Sequence, residues 1–151
     1  MIRKIGLEDR QKYIDMVETF YQSDAVFKPI PRKHIEDTFD ELMNSDTYAS
    51  AYIIEWEGNV AGYALMAKTF SQEAGGMVLW IEELYIKPEY RRNGLGKEFF
   101  AFLEKETEGK YSRLRLEVED YNKAAVELYH KKGFSELPYM QMIRDRDMEE
   151  S

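Results

Sequence analysis

The 151-residue sequence predicts a mixed α/β fold in which helices flank a sheet. Three observations carry this. Strand-like runs joined by short turns fill the middle of the chain. From Gly94 onward, strands alternate with helical periodicities. No repeat, linker or low-complexity segment divides the sequence, so one domain over residues 1–151 is expected, fraying from about residue 145.

The elements follow in order. Residues 2–6 read as a short strand. Residues 7–22 read as a helix, because Ile14, Val17, Phe20 and Tyr21 recur at helical spacing. DAVFKPIP (24–31) is a loop, since two prolines two apart cannot sit inside a helix. A second helix over roughly 32–44 carries Ile35, Phe39, Leu42 and Met43 on one side. ASAYIIEW and VAGYALMAKTF are strands joined by a hairpin turn at Glu57, Gly58 and Asn59, and SQEAGG turns the chain into a further strand over 77–87. A helix beginning at Gly94 has Leu95, Phe99, Phe102 and Leu103 on one stripe and ends near Gly109. RLRLEVE (113–119) alternates strictly, with Leu114, Leu116 and Val118 inward. Asn122 suits the N-cap of a helix that closes at Gly133. Phe134 and residues 139–144 read as final strands.

Composition narrows the function classes. Without cysteine there is no disulfide, thiolate metal site or cysteine nucleophile. Two isolated histidines, His34 and His130, do not make a zinc site, and no metal is expected. No apolar stretch reaches the ~20 residues of a membrane span, and Met1-Ile2-Arg3 is not expected to open a signal peptide. The cytoplasm is therefore the default location, with no membrane partner. The net charge of −8 argues against nucleic acid, which needs a basic footprint. Against that acidic background, residues 87–97 hold Lys87, Arg91, Arg92 and Lys97 against the single Glu89. A positive island on an acidic protein points to a specific anion.

That island is a glycine-spaced turn between a strand and a helix. Such a turn gathers unpaired backbone N–H groups at a helix N-terminus, where the dipole favours a phosphate. Neither common nucleotide motif fits. The dinucleotide fingerprint wants glycine where Phe99 stands, and the P-loop wants Ser or Thr where Glu98 follows Lys97. What fits is R-x-x-G-x-G, as Arg91-Arg92-Asn93-Gly94-Leu95-Gly96. With LYIKPEYRRNGLG around it and NKAAVELYHKKGF downstream, residues 49–136 resemble the GNAT superfamily of acyl-CoA-dependent N-acetyltransferases. Arg92, where the family often has glycine, and Lys97, often a small residue, depart from its pattern.

The resemblance implies a GNAT fold, with a splayed, mostly antiparallel central sheet flanked by helices. It implies acetyl-CoA as cofactor, with CoA the product. The main chain of Arg92, Asn93, Gly94, Leu95, Gly96 and Lys97 would hold its pyrophosphate, with Arg91 adding charge. Leu84, Tyr85 and Ile86 would pair with its pantetheine arm. Asn122 would contact that arm, and Tyr129, seven residues on and about 10 Å away on one helix face, would assist the departing thiolate. Patterning alone also allows Asn122 as a plain N-cap and Tyr129 as core. The family often dimerises, which leaves a homodimer open.

The strand 77–87 contains two adjacent acids, Glu82 and Glu83. Burying a carboxylate is costly, so acids in an apolar strand need partners, solvent or a purpose. Neighbouring strand residues face opposite sides unless a bulge intervenes. One of the pair would take the amine proton, directly or through water, and Glu82 is favoured as base with Glu83 in support. Paired half-exposed acids with no chemistry are the alternative. Members acting on diamines and similar small amines often carry acids here, and this sequence is similar to them. Tyr21, Phe27, Phe70, Trp80 and Tyr139 are candidate aromatic contacts for a cationic acceptor, each also readable as core. The expected function is acetyl transfer to a primary amine. The alternatives are a non-catalytic acyl-CoA-binding domain and a protein N-terminal or lysine acetyltransferase.

Overall fold

The computed structural model describes residues 1–146. Two compact units divide the chain, Met1–Glu117 and Val118–Ser151.

The first unit is a five-stranded sheet with three helices. Its elements in chain order are β1 (Ile2–Lys4), α1 (Arg10–Tyr21), α2 (Arg32–Asn44), β2 (Ala49–Trp56), β3 (Asn59–Ser71), β4 (Gly76–Ile86), α3 (Leu95–Thr107) and β5 (Arg113–Leu116). The strands lie in sequence order. The first three pairings are antiparallel and β4 with β5 is parallel. A parallel pair needs a crossover, which α3 provides. Glu57 and Gly58, both at positive φ, make the two-residue hairpin turn.

Both faces of the sheet are covered, which is why β2 and β3 read as near-continuous apolar runs. Tyr13, Ile14, Val17, Ile35 and Phe39 of α1 and α2 pack with Ala51, Ile53, Tyr63 and Leu65 on one face. On the other, the Tyr52 ring meets Phe102 of α3 edge-on at 5.0 Å, beside buried Phe99 and Leu103.

Close strand approach fixes one glycine. A Cβ on Gly62 would lie 2.1 Å from the Tyr85 carbonyl oxygen, whereas one on Gly96 would meet nothing within 4 Å. Gly62→Ala should therefore push β3 from β4 and cost about 3 kcal/mol, the range of an overpacked core. Urea denaturation checks it, with Gly96→Ala expected near the wild-type value.

The second unit holds α4 (Lys123–Lys131), and Asn122 caps it by accepting from the Ala125 N–H at 3.3 Å. Two strand expectations fail here. Phe134 completes a helix cap: its N–H donates to the Tyr129 carbonyl at 2.9 Å, the N–H of Gly133 (φ +92°) donates to that of His130, and the Phe134 ring packs on Tyr129 at 6.0 Å. These are the two bonds and the apolar contact of a Schellman motif. Residues 139–144 form no ladder. Pro138 offers no N–H, and the Tyr139 N–H turns back to the Leu137 carbonyl at 2.8 Å. Of the expected frayed tail, 147–151 lie outside the described residues. Among the described residues no helix is long and apolar enough to cross a membrane.

Candidate active site

The site begins with a miscount between two strands. Leu65 of β3 faces Glu83, but its neighbour Met66 faces Ile81, so Glu82 has no cross-strand partner and forms a β-bulge. Directly paired residues share a face. The face that receives Trp80 before the bulge therefore receives Glu83 and Tyr85 after it. Were Glu82 paired in regular alternation, Glu83 would point at the α3 side. A bulge also bends its strand and increases its twist. The parallel ladder of β4 with β5 ends at Ile81 and Leu116, immediately before the bulge. That divergence explains why β5 is shorter than the alternating run 113–119.

Beyond the fork, β4 stays paired with β3 alone. The Lys87 N–H donates to Ala61 on β3 at 2.8 Å. Alternation then turns the main chain of Tyr85 toward β3 and that of Leu84 and Ile86 toward the open edge. The resemblance implied three pairing residues; the ladder leaves Tyr85 occupied. Arg91 Nε donates to the Ile86 carbonyl at 3.0 Å, which ties the following turn to the strand end.

In that turn Arg92 (φ +69°) and Gly94 (φ +74°) are both left-handed. Glycine takes this conformation freely, while at Arg92 it is a strained choice that functional turns tolerate. The α3 N-terminus has no side-chain cap, and its first bond is the Glu98 N–H to the Gly94 carbonyl. Among the described residues, the N–H groups from Arg92 to Lys97 have no acceptor, and the Arg92 and Lys97 side chains no ion pair. Asn93 instead donates its side-chain amide to the Tyr90 carbonyl at 2.9 Å, holding the turn's shape. Consecutive free N–H groups in such a turn, with a helix dipole behind them, form an anion-binding concavity.

The two acids have different environments. Glu83 is 8% exposed, and both its oxygens accept hydroxyl bonds, one from Tyr21 at 2.5 Å and one from Tyr63 at 2.7 Å. Burial raises its pKa, and the bonds from the two tyrosines offset only part of that rise. Around it, Tyr13 and Tyr85 pack on Tyr63 at 5.3 and 5.9 Å. Glu82 is exposed and has no hydrogen bond or ion pair among the described residues. Its carboxyl is nevertheless partly stripped of water, and this, then the charge of Glu83, then that of Glu117, raises its pKa.

Within the first unit, Tyr21, Phe70 and Trp80 have separate surroundings. Tyr21 is at the site, but its hydroxyl is engaged by Glu83. Phe27 and Phe70 are 82% and 75% exposed, so neither is core. Phe70 pairs with Met77 at the far end of β4 from the bulge. Trp80 carries the Arg115 guanidinium over its ring at 4.0 Å. Tyr139 is exposed in the second unit. In that unit Tyr129 and Asn122 share α4, and burial raises the Tyr129 pKa, which keeps its phenol protonated. Tyr63 was missed by sequence reasoning. Its signal is a tyrosine inside an apolar strand, whose hydroxyl needs a partner once buried.

Comparison with known proteins places this geometry. Residues 14–134 match the Acetyltransferase (GNAT) family. The thialysine N-epsilon-acetyltransferase of Bos taurus is 37% identical over 79 residues, 52% of this chain and 46% of that protein. The chain thus spans about half the length of that relative. A possible acetyltransferase from Clostridium difficile 630 superposes with a TM-score of 0.84 at 18% identity over 98% of each chain. An aminoglycoside N-acetyltransferase solved with CoA gives 0.77 at 15% identity, over 97% of this chain and 95% of that one. At such identities the structures speak to the fold alone. With the match covering most of the sequence, the chain belongs to the GNAT acetyltransferase family.

Proposed function

We propose that this protein is an N-acetyltransferase that moves the acetyl group of acetyl-CoA to the primary amine of a small cationic acceptor. The observation that carries this reading is the open edge of β4 beyond Ile81, which runs into a turn of unpartnered N–H groups. A strand edge suits an extended amide-bearing arm, and the turn suits its phosphates. Family membership and the thialysine-acetylating relative support the same choice.

Acetyl-CoA supplies an activated acetyl thioester. Leu84 and Ile86 offer main-chain groups along the open edge, and a strand N–H polarises the thioester carbonyl. Residues 92–97 bind the pyrophosphate through main-chain N–H groups, with Arg92 and Lys97 adding charge. Asn122 contributes to holding the arm as well as capping α4. Attack is direct: the chain has no cysteine, and among the described residues no serine is hydrogen-bonded to a histidine side chain. Glu82, exposed and without a hydrogen bond or ion pair among the described residues, takes the amine proton, and Tyr129 donates one to the leaving sulfur. A cationic amine also suits the negative charge at the fork.

Calorimetric titration with acetyl-CoA, with ATP and NAD in parallel, tests the reading. Micromolar binding of acetyl-CoA alone is expected. Gly96→Glu fills open space with a carboxylate facing the phosphates and should abolish binding while the fold persists. A folded wild-type protein that ignores acetyl-CoA would overturn the proposal. An amine panel containing thialysine, lysine, diamines and an aminoglycoside then identifies the acceptor.

A further inference from the structure

The buried acid of the pair has a separate duty. Glu83 joins three elements: β4 at the bulge, β3 through Tyr63, and the last residue of α1 through Tyr21. Both hydroxyls donate, so each oxygen of the carboxylate carries a charge-assisted bond. No buried polar side-chain atom among the described residues lacks a partner. Beside Glu83, Glu82 has no hydrogen bond or ion pair among the described residues.

We propose that Glu83 is a positioning residue. Clamped as an anion by Tyr21 and Tyr63, it anchors the bulge and presents a fixed negative charge to Glu82. This rests on the reading of Glu82 as the base, since the duty of Glu83 is to keep that neighbour avid for a proton. Two adjacent carboxylates cannot ionise independently; the one with hydrogen-bond donors loses its proton first, and the other titrates against its charge. Tyr21 and Tyr63 belong to the site in the same sense, acting through Glu83. The titratable groups bearing on the pair are Tyr13 and Tyr21 from α1, Tyr63 from β3, and Glu117 just past β5; Tyr85 of β4 packs on Tyr63.

The test needs no substrate. Carboxyl-carbon NMR on protein labelled at glutamate follows the titration of Glu82, assigned by its loss in Glu82→Gln. In Glu83→Gln the neighbouring charge is gone, and the Glu82 midpoint should move down in pH. In Tyr21→Phe one donor to Glu83 is lost, Glu83 holds its proton to higher pH, and the Glu82 midpoint should again move down. A Glu82 midpoint that stays in place in both folded variants overturns the proposal. Should Glu83→Gln not fold, Tyr21→Phe and Tyr63→Phe carry the same comparison. If the midpoint moves as expected but Glu82→Gln acetylates amines at the wild-type rate, the positioning role stands and the base assignment alone falls.

Discussion

Glu82→Gln is expected to lower kcat/KM for amine acetylation by about 10²- to 10⁴-fold, the usual contribution of a positioned general base. Glutamine matches the shape of glutamate and cannot accept the proton. The fold should be unaffected, because Glu82 is exposed and bonded to nothing among the described residues. The pH profile separates this from a binding defect. Glu82 has a raised pKa, and its active form is the deprotonated one, so wild-type activity climbs with pH through that raised value. The climb should vanish in the glutamine variant. A variant whose profile keeps the wild-type limb would remove Glu82 from the mechanism, whatever its rate.

Asp9→Ala should lower stability by about 3 kcal/mol, near the lower end for breaking a buried ion pair. Asp9 is 2% exposed and grips Arg3 with both oxygens, each at 2.8 Å, while also accepting the Gly6 N–H at 2.8 Å. Removing it strands a partly buried guanidinium, though Arg3 keeps its bond to Glu55 at 3.0 Å, which moderates the cost. The Arg3 bonds hold the Asp9 carboxyl below the usual carboxylate range. A group with a lowered folded pKa contributes stability above its unfolded value near 4 and loses it as pH falls through the folded value. The difference between wild type and variant should therefore be full at pH 7 and shrink at pH 3. Urea denaturation at the two pH values measures both.

Much of the frame was legible because local chemistry and tertiary structure agree in it. The second helix occupies Arg32–Asn44, following the loop closed by Pro31. The hairpin lies at Glu57 and Gly58, and Asn122 and Gly133 close α4 as their residue types predict. The failures share a cause: they depend on what a segment meets. An apolar run at 139–144 resembles a strand, but a strand exists only where a partner edge takes its hydrogen bonds. Phe134 resembles a strand residue and serves a helix cap instead. At the site, the motif around Gly94 and Gly96 marked the turn, and the paired acids marked the strand. Which acid is buried was hidden, because a single unpaired residue reverses the facing of all that follow.

That reversal acts as a dislocation in the hydropathy pattern. β4 has two phases, one up to Ile81 and the opposite one from Glu83, and position 82 is the half-period between them. The ladder skips that position, so folding places almost no demand on which residue stands there. Pairing that residue in regular alternation would swap Glu83 and Tyr85 with Leu84 and Ile86 across the sheet, whereas changing its side chain disturbs no packing. A site that the ladder leaves out and the core does not use is one where chemistry can be chosen without cost to the fold, and in this chain it holds a glutamate.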